Sequence, residues 1–193
     1  EQPVTIARAI GARRGEGNAL GNLGVAYADL GESRRAIEYY EQHLAIAREI
    51  KNQEIEGESE LLLGELAFDI DRVAEAELWF KRSLTVCRES ADKRGEANAL
   101  HWLGKCDLQS GDIVSARSRL SDALRAFRTF EMWEELLGCI ENFADLAYLE
   151  GTADIAVRLA AAAEKARERL QLSRPPRTEG RWERRFYTGG NHV

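Results

Sequence analysis

The residues best placed to do chemistry in this 193-residue chain are His101, the carboxylates Glu58, Glu65 and Glu141, and three cysteines, Cys87, Cys106 and Cys139. Histidine with carboxylates can hold a metal ion or move a proton. Zinc, however, takes three or four well-spaced ligands, and the sequence contains neither HxxxH nor CxxC. The cysteines are odd in number and 19 and 33 residues apart, matching neither a disulfide framework nor a ligand set, so a reducing cytoplasm is the simplest reading. The string Gly15-Glu16-Gly17-Asn18-Ala19-Leu20-Gly21 has the look of a phosphate loop but precedes no Lys-Ser/Thr pair and follows no expected strand. No nucleophile sits beside a base in a recognisable strained turn. The chain therefore reads as non-catalytic, with no cofactor and no metal.

What positions these residues is a repeat. Gly24 is answered by Gly64, Gly104 and Ala144, with Leu23, Leu63, Leu103 and Phe143 before them. Twelve residues later come Ala36, Ala76, Ala116 and Ala156, so the period is 40. Cys106 falls in register with Ala26, Leu66 and Leu146, which makes packing the better reading of that thiol. Gly31, Gly111 and Gly151 recur at a turn, with Asp71 the exception.

Each repeat is expected to be two antiparallel helices. In the first, Leu20, Leu23, Tyr27 and Leu30 return at three and four residues, predicting helix A over about 16–30. After the Gly31 turn, Ile37, Tyr40, Leu44 and Ile46 predict helix B over about 34–50. Later repeats are expected at 56–90, 96–130 and 135–170. Small residues at Gly24 and Ala36 would let A and B approach closely, while Tyr40 fills space toward the next repeat. His43 takes a helix-packing position. Residues 1–10, EQPVTIARAI, align without a gap to 41–50, EQHLAIAREI, and are expected to be the end of a preceding repeat. The fourth repeat decays, and 171–193 is expected to be a capping segment and tail in which Trp182, Phe186 and Tyr187 follow the Pro175-Pro176 break. His192 falls in that tail. One cooperative domain spanning 1–193 is expected, since no linker divides the array.

Composition agrees with a helical scaffold. Apolar residues make up 44% and charged residues 31%, and there are only 3 prolines. No apolar run reaches the length of a membrane span, and no signal-peptide pattern is present. The net charge is −6, and from Lys165 onward Lys and Arg outnumber Glu. An acidic body disfavours direct nucleic-acid binding.

The positions Leu20, Leu23, Gly24, Tyr27, Ala36, Tyr40 and His43 together resemble the tetratricopeptide repeat signature. The period of 40 rather than 34 is similar to the extended variant in kinesin light chains, Pins-type polarity adaptors and many bacterial regulators. Residues 157–186 resemble the close of the repeat region in large bacterial proteins that join an ATPase module to such repeats. The resemblance implies an all-α fold, a right-handed α-α superhelix of antiparallel helix pairs, whose A helices line a concave groove. It places Asn18, Val25 and Asp29 there from the first repeat, and Glu58, Leu61, Glu65, Phe68 and Asp69 from the second. From the third come Asn98, His101, Lys105, Leu108 and Gln109, and from the fourth Glu141, Asp145 and Tyr148. Such a groove would suit a protein or peptide partner with Lys or Arg beside an apolar anchor. The alternatives are a solvated acidic face with no ligand, a homodimer through exposed array ends and, further off, an enzyme with converged groups of shifted pKa.

Overall fold

The computed structural model describes the backbone of residues 2–172 and the side chains of residues 11–172. The expected capping segment and its aromatic residues lie outside the described residues from 173 onward. Eight helices are found among the described residues: α1 (Gln2–Asp29), α2 (Ser33–Glu49), α3 (Gln53–Asp69), α4 (Val73–Glu89), α5 (Lys93–Ser110), α6 (Ile113–Thr129), α7 (Trp133–Leu149) and α8 (Ala153–Leu170). The chain divides into two compact units, residues 1–102 and 103–193, with the boundary inside α5.

One turn design ends every helix. A residue at or just after each C-cap lies in the left-handed region, at Gly31, Lys51, Asp71, Ala91, Gly111, Glu131, Gly151 and Gln171, with φ between 54° and 80°. These positions are 20 residues apart, half the repeat. Each turn carries the same pair of backbone hydrogen bonds: Asn52 N–H donates to Ala47 O and Lys51 N–H to Arg48 O, and Asp92 and Ala91 repeat the pattern on Cys87 and Arg88. These bonds satisfy carbonyls that a helix end leaves orphaned. Glycine takes this conformation freely, whereas lysine, alanine and glutamate carry a Cβ penalty there.

The A helices start earlier than hydrophobic periodicity predicted, at Gln53 and Lys93 rather than 56 and 96. The reason is capping. Asn52 Oδ1 accepts from the Ile55 N–H at 3.2 Å, and Asp92 Oδ1 accepts from Arg94 and Gly95 N–H at 3.1 and 3.0 Å. At the corresponding place near the front of the chain stands Ala12, which has no capping group. There the structure departs from expectation: α1 runs unbroken through 11–15, with no turn separating residues 2–10 from helix A. Arg13, in mid-helix, holds Glu16 on α1 and Glu49 on α2.

In the first unit, α1 pairs with α2, α3 pairs with α4, and α2 packs on α3. The glycine register explains the close approach. A Cβ on Gly64 would lie 2.5 Å from the Phe80 ring, and Gly24 meets Tyr40 in the same way. Tyr40 thus fills the space over the glycine of its own repeat, and it also joins Ala28, Ala36, Leu44, Leu63 and Leu66 in one buried cluster that reaches α3.

In the second unit, α6 packs on α7, and α7 on α8. Gly104 of α5 faces Leu120, where a Cβ would come within 2.8 Å. The series Gly–Tyr, Gly–Phe and Gly–Leu ends with Ala144 and Ala160, so the glycine's space shrinks as its filler does. Cys139 is buried and its thiol donates to Leu120 O at 3.3 Å. Burial pushes the Cys139 thiol up to about 12 and Cys87 up to about 11, and Cys106 is also buried. These are packing residues, poorly suited to act as nucleophiles.

Candidate interaction surface

Helix periodicity makes a stripe of α3. Glu54, Glu58, Leu61, Glu65 and Asp69 follow one another at four, three, four and four residues, which places them along one side of the helix. Glu54, Glu58 and Asp69 are exposed, while Leu61 and Glu65 are half-buried. Desolvation and the charge of Glu54 together hold the Glu58 carboxyl above its ordinary range. No ion pair engages Glu54 or Glu58 among the described residues, in contrast to Glu56 and Glu60 on the same helix, both held by Arg48. On α1, Asn18, Val25 and Asp29 are exposed. On the part of α5 in this unit, Asn98 and His101 are half-buried.

Phe68 does not join this surface. It is 3% exposed, with its ring edge-on to Trp102 at 5.5 Å, and Trp102 also stacks on Phe80 at 5.4 Å. The expectation that Phe68 lines the groove is therefore corrected: a ring of that size is consumed by the packing of α3, α4 and α5. The repeat equivalents of Trp102, Asn22, Leu62 and Asn142, give no aromatic signal, so the repeat pattern does not point to this ring. Glu54 falls outside helix A when periodicity alone sets its start at 56, three residues late, and the Asn52 cap is the signal that finds it.

In the second unit, Lys105 and Leu108 are half-buried, Gln109 and Tyr148 are exposed, and Asp145 is half-buried. Glu141 is also corrected. Its carboxylate is buried and accepts from Arg167 of α8, Nε to Oε1 at 2.8 Å and Nη2 to Oε2 at 3.4 Å. A buried guanidinium needs a counter-charge, so this carboxylate is spent inside the helix pair. Asp107 accepts two bonds from Arg119 at 2.8 and 2.9 Å, tying α5 to α6.

Among the described residues, no group of three His, Cys, Asp or Glu side chains is arranged to hold a metal ion, and no helix is long and apolar enough to cross a membrane. The polar surfaces belong to a stack of helix hairpins on a 40-residue period, which defines a helical-repeat scaffold. The tetratricopeptide repeat family matches residues 19–54 and 57–129, together more than half of the chain. The chain belongs to that family, whose fold generally serves protein interaction.

Solved structures agree on the fold. BtubC (BKLC) from P. vanneervenii is similar with a TM-score of 0.66 and 17% identity over 82% of this chain and 66% of its own. The Rap conjugation gene regulator of plasmid pLS20, determined with a Phr peptide, gives 0.64 at 17% identity over 80% of this chain and 42% of its own. The TPR-like repeats of a kinesin light chain-like protein from Podosopora anserina give 0.61 at 17% identity, covering 83% and 79%. This chain thus spans less than two thirds of the length of the first two. No curated protein matches the sequence.

Proposed function

We propose that the chain is a docking module that receives a basic segment of a protein partner on the A-helix surface of its first unit, and that it serves as the sensor or docking region of a cytoplasmic bacterial regulator. The observation that carries this reading is the Glu54–Glu58 pair. Among the described residues no cation holds these two carboxylates, which stand one helical turn apart, and one of them is partly desolvated. A Lys or Arg brought by a partner relieves that repulsion and so gains more than it would at an isolated surface carboxylate. Glu65 and Asp69 extend the negative stripe, Leu61 and Val25 supply apolar contact, and Asn18, Asn98 and His101 supply hydrogen-bonding groups. The Rap regulator's capture with a peptide supports a peptide-sized ligand for this fold. The resemblance of residues 157–186 to bacterial regulators supports the parent.

The test is titration of labelled basic, neutral and acidic peptides at two ionic strengths against the parent protein and Glu54→Lys/Glu58→Lys. Both positions are exposed helix sites, so the variant should keep its fold. The basic peptide should bind the parent best, lose affinity at high salt, and bind the variant at least tenfold more weakly. Indifference to peptide charge in both proteins returns these residues to a solvated acidic face.

A further inference from the structure

The second and third repeats bury the equivalents of positions 23 and 26, and the fourth half-buries Phe143, whereas α1 leaves both positions exposed. Leu63 and Leu103 are 4% and 1% exposed, and Leu66, Cys106 and Leu146 are buried as well. Leu23, by contrast, is 43% exposed, and Ala26 is exposed too. On α3 the cover is visible: Tyr40 and Leu44 of the preceding helix share a buried cluster with Leu63 and Leu66. One turn beyond Leu44, Arg48 donates to Glu56 of α3 at 2.8 Å, and Arg88 donates to Glu96 of α5 at the same distance. Glu16 holds the same register on α1, where it pairs with Arg13 of its own helix.

A helix that fits the α1 face therefore carries an aliphatic residue four positions before an arginine. Leu44–Arg48 and Leu84–Arg88 supply that spacing to α3 and α5, and Leu124–Arg128 repeats it. At the same register of the repeat, forty residues ahead of Leu44–Arg48, stands Val4–Arg8. Between that pair and Leu23 lies Gly11, twenty residues ahead of Gly31 and so on the same grid as every left-handed turn residue in the chain. We propose that α1 has a second conformation in which it breaks at Gly11, and the segment 1–10 turns back as the end of a B-type helix to cover Leu23, Ala26 and Glu16.

The balance is physically reasonable. Breaking the helix forfeits a few backbone hydrogen bonds, but the turn used at the other helix ends restores two of them, and glycine adopts its left-handed residue without a Cβ penalty. Burial of Leu23 then favours the turned-back form. Ala12 provides no cap, which leaves the unbroken helix competitive.

Spin labels at Gln2→Cys and Val25→Cys read the two conformations in the full chain, since the native thiols are buried. In a continuous helix the 23 intervening steps span about 35 Å, whereas side-by-side helices bring the sites to roughly 10–20 Å. The parent should show the short distance. Gly11→Val, which excludes the left-handed turn, should remove it and leave the long one. A parent with the long distance alone overturns the proposal, as does a short distance that survives Gly11→Val.

Discussion

Two buried polar side chains of the first unit, His43 and Glu60, set its response to pH and its reserve of stability. The Ser59 hydroxyl donates to Ile55 O at 2.7 Å, so its contact with His43 Nδ1 at 3.0 Å has the ring nitrogen as donor. Nε2 is then a bare lone pair, buried and without a partner. Gly17 and Gly21 of α1 and Ser59 of α3 are what the ring faces, and burial alone holds its pKa below the ordinary 6.5. As pH falls through 6.5 the unfolded chain takes up a proton on this ring while the folded chain resists. The stability His43 allows is therefore full above that pH and declines toward the lower folded value. The melting temperature of the parent should fall more steeply between pH 7.5 and 5 than that of His43→Ser, the residue type Ser83 puts at the same seam. Parallel curves would falsify this account. Glu60, 1% exposed, is held by Arg48 through one oxygen while the other has no partner, and burial raises its carboxyl pKa. Its repeat equivalents are Leu20, Leu100 and Ile140. Glu60→Leu leaves Arg48 paired with Glu56 and should stabilise the protein by about 1–2 kcal/mol, read as a rise of a few degrees in melting temperature.

At the scale of the element, the spacing of small and large residues is enough to pair the helices, though not to set where the A helices begin, because Gly24, Gly64 and Gly104 can be small for one reason, the ring or side chain lying over them. The turns between repeats were harder to read. Gly31, Gly111 and Gly151 announced their left-handed conformation, whereas Lys51, Ala91 and Glu131 adopt it with residue types that carry no such signal. The backbone bonds of the turn outweigh a local preference worth about 1 kcal/mol. Replacing Ala91 or Glu131 with glycine should therefore stabilise by about 0.5–1 kcal/mol, checked by thermal melts. No gain at either site would mean that the turn is relaxed by other means. Gly64→Ala should act in the opposite direction. Its Cβ would meet the Phe80 ring at 2.5 Å, a ring already stacked on Trp102, and the cost should be about 1–3 kcal/mol. The candidate surface was legible as a stripe of helix positions but not residue by residue. Glu58 and Phe68 are both ordinary occupants of a helix face, and only the packing of Trp102 and the pairing of Arg167 show that Phe68 and Glu141 point inward.

At the scale of the whole chain, the two compact units share a helix, and that decides how they should unfold. Trp102, which stacks on Phe80, belongs to the first unit, and Gly104, which faces Leu120, belongs to the second; they stand two residues apart on α5. A helix is cooperative along its length, so losing the support of one half removes the turns that present the other. In a repeat array, stability passes through such nearest-neighbour contacts. Denaturant unfolding should accordingly be a single transition, with helical content and tryptophan fluorescence changing together. Gly104→Ala, which brings a Cβ within 2.8 Å of Leu120, should then lower amide protection in α3 and α4 as well as in α6, although the substitution touches only the second unit. Hydrogen exchange followed by mass spectrometry separates the cases: protection lost in α6 alone, with α3 and α4 unchanged, would show that the units unfold independently despite the helix they share.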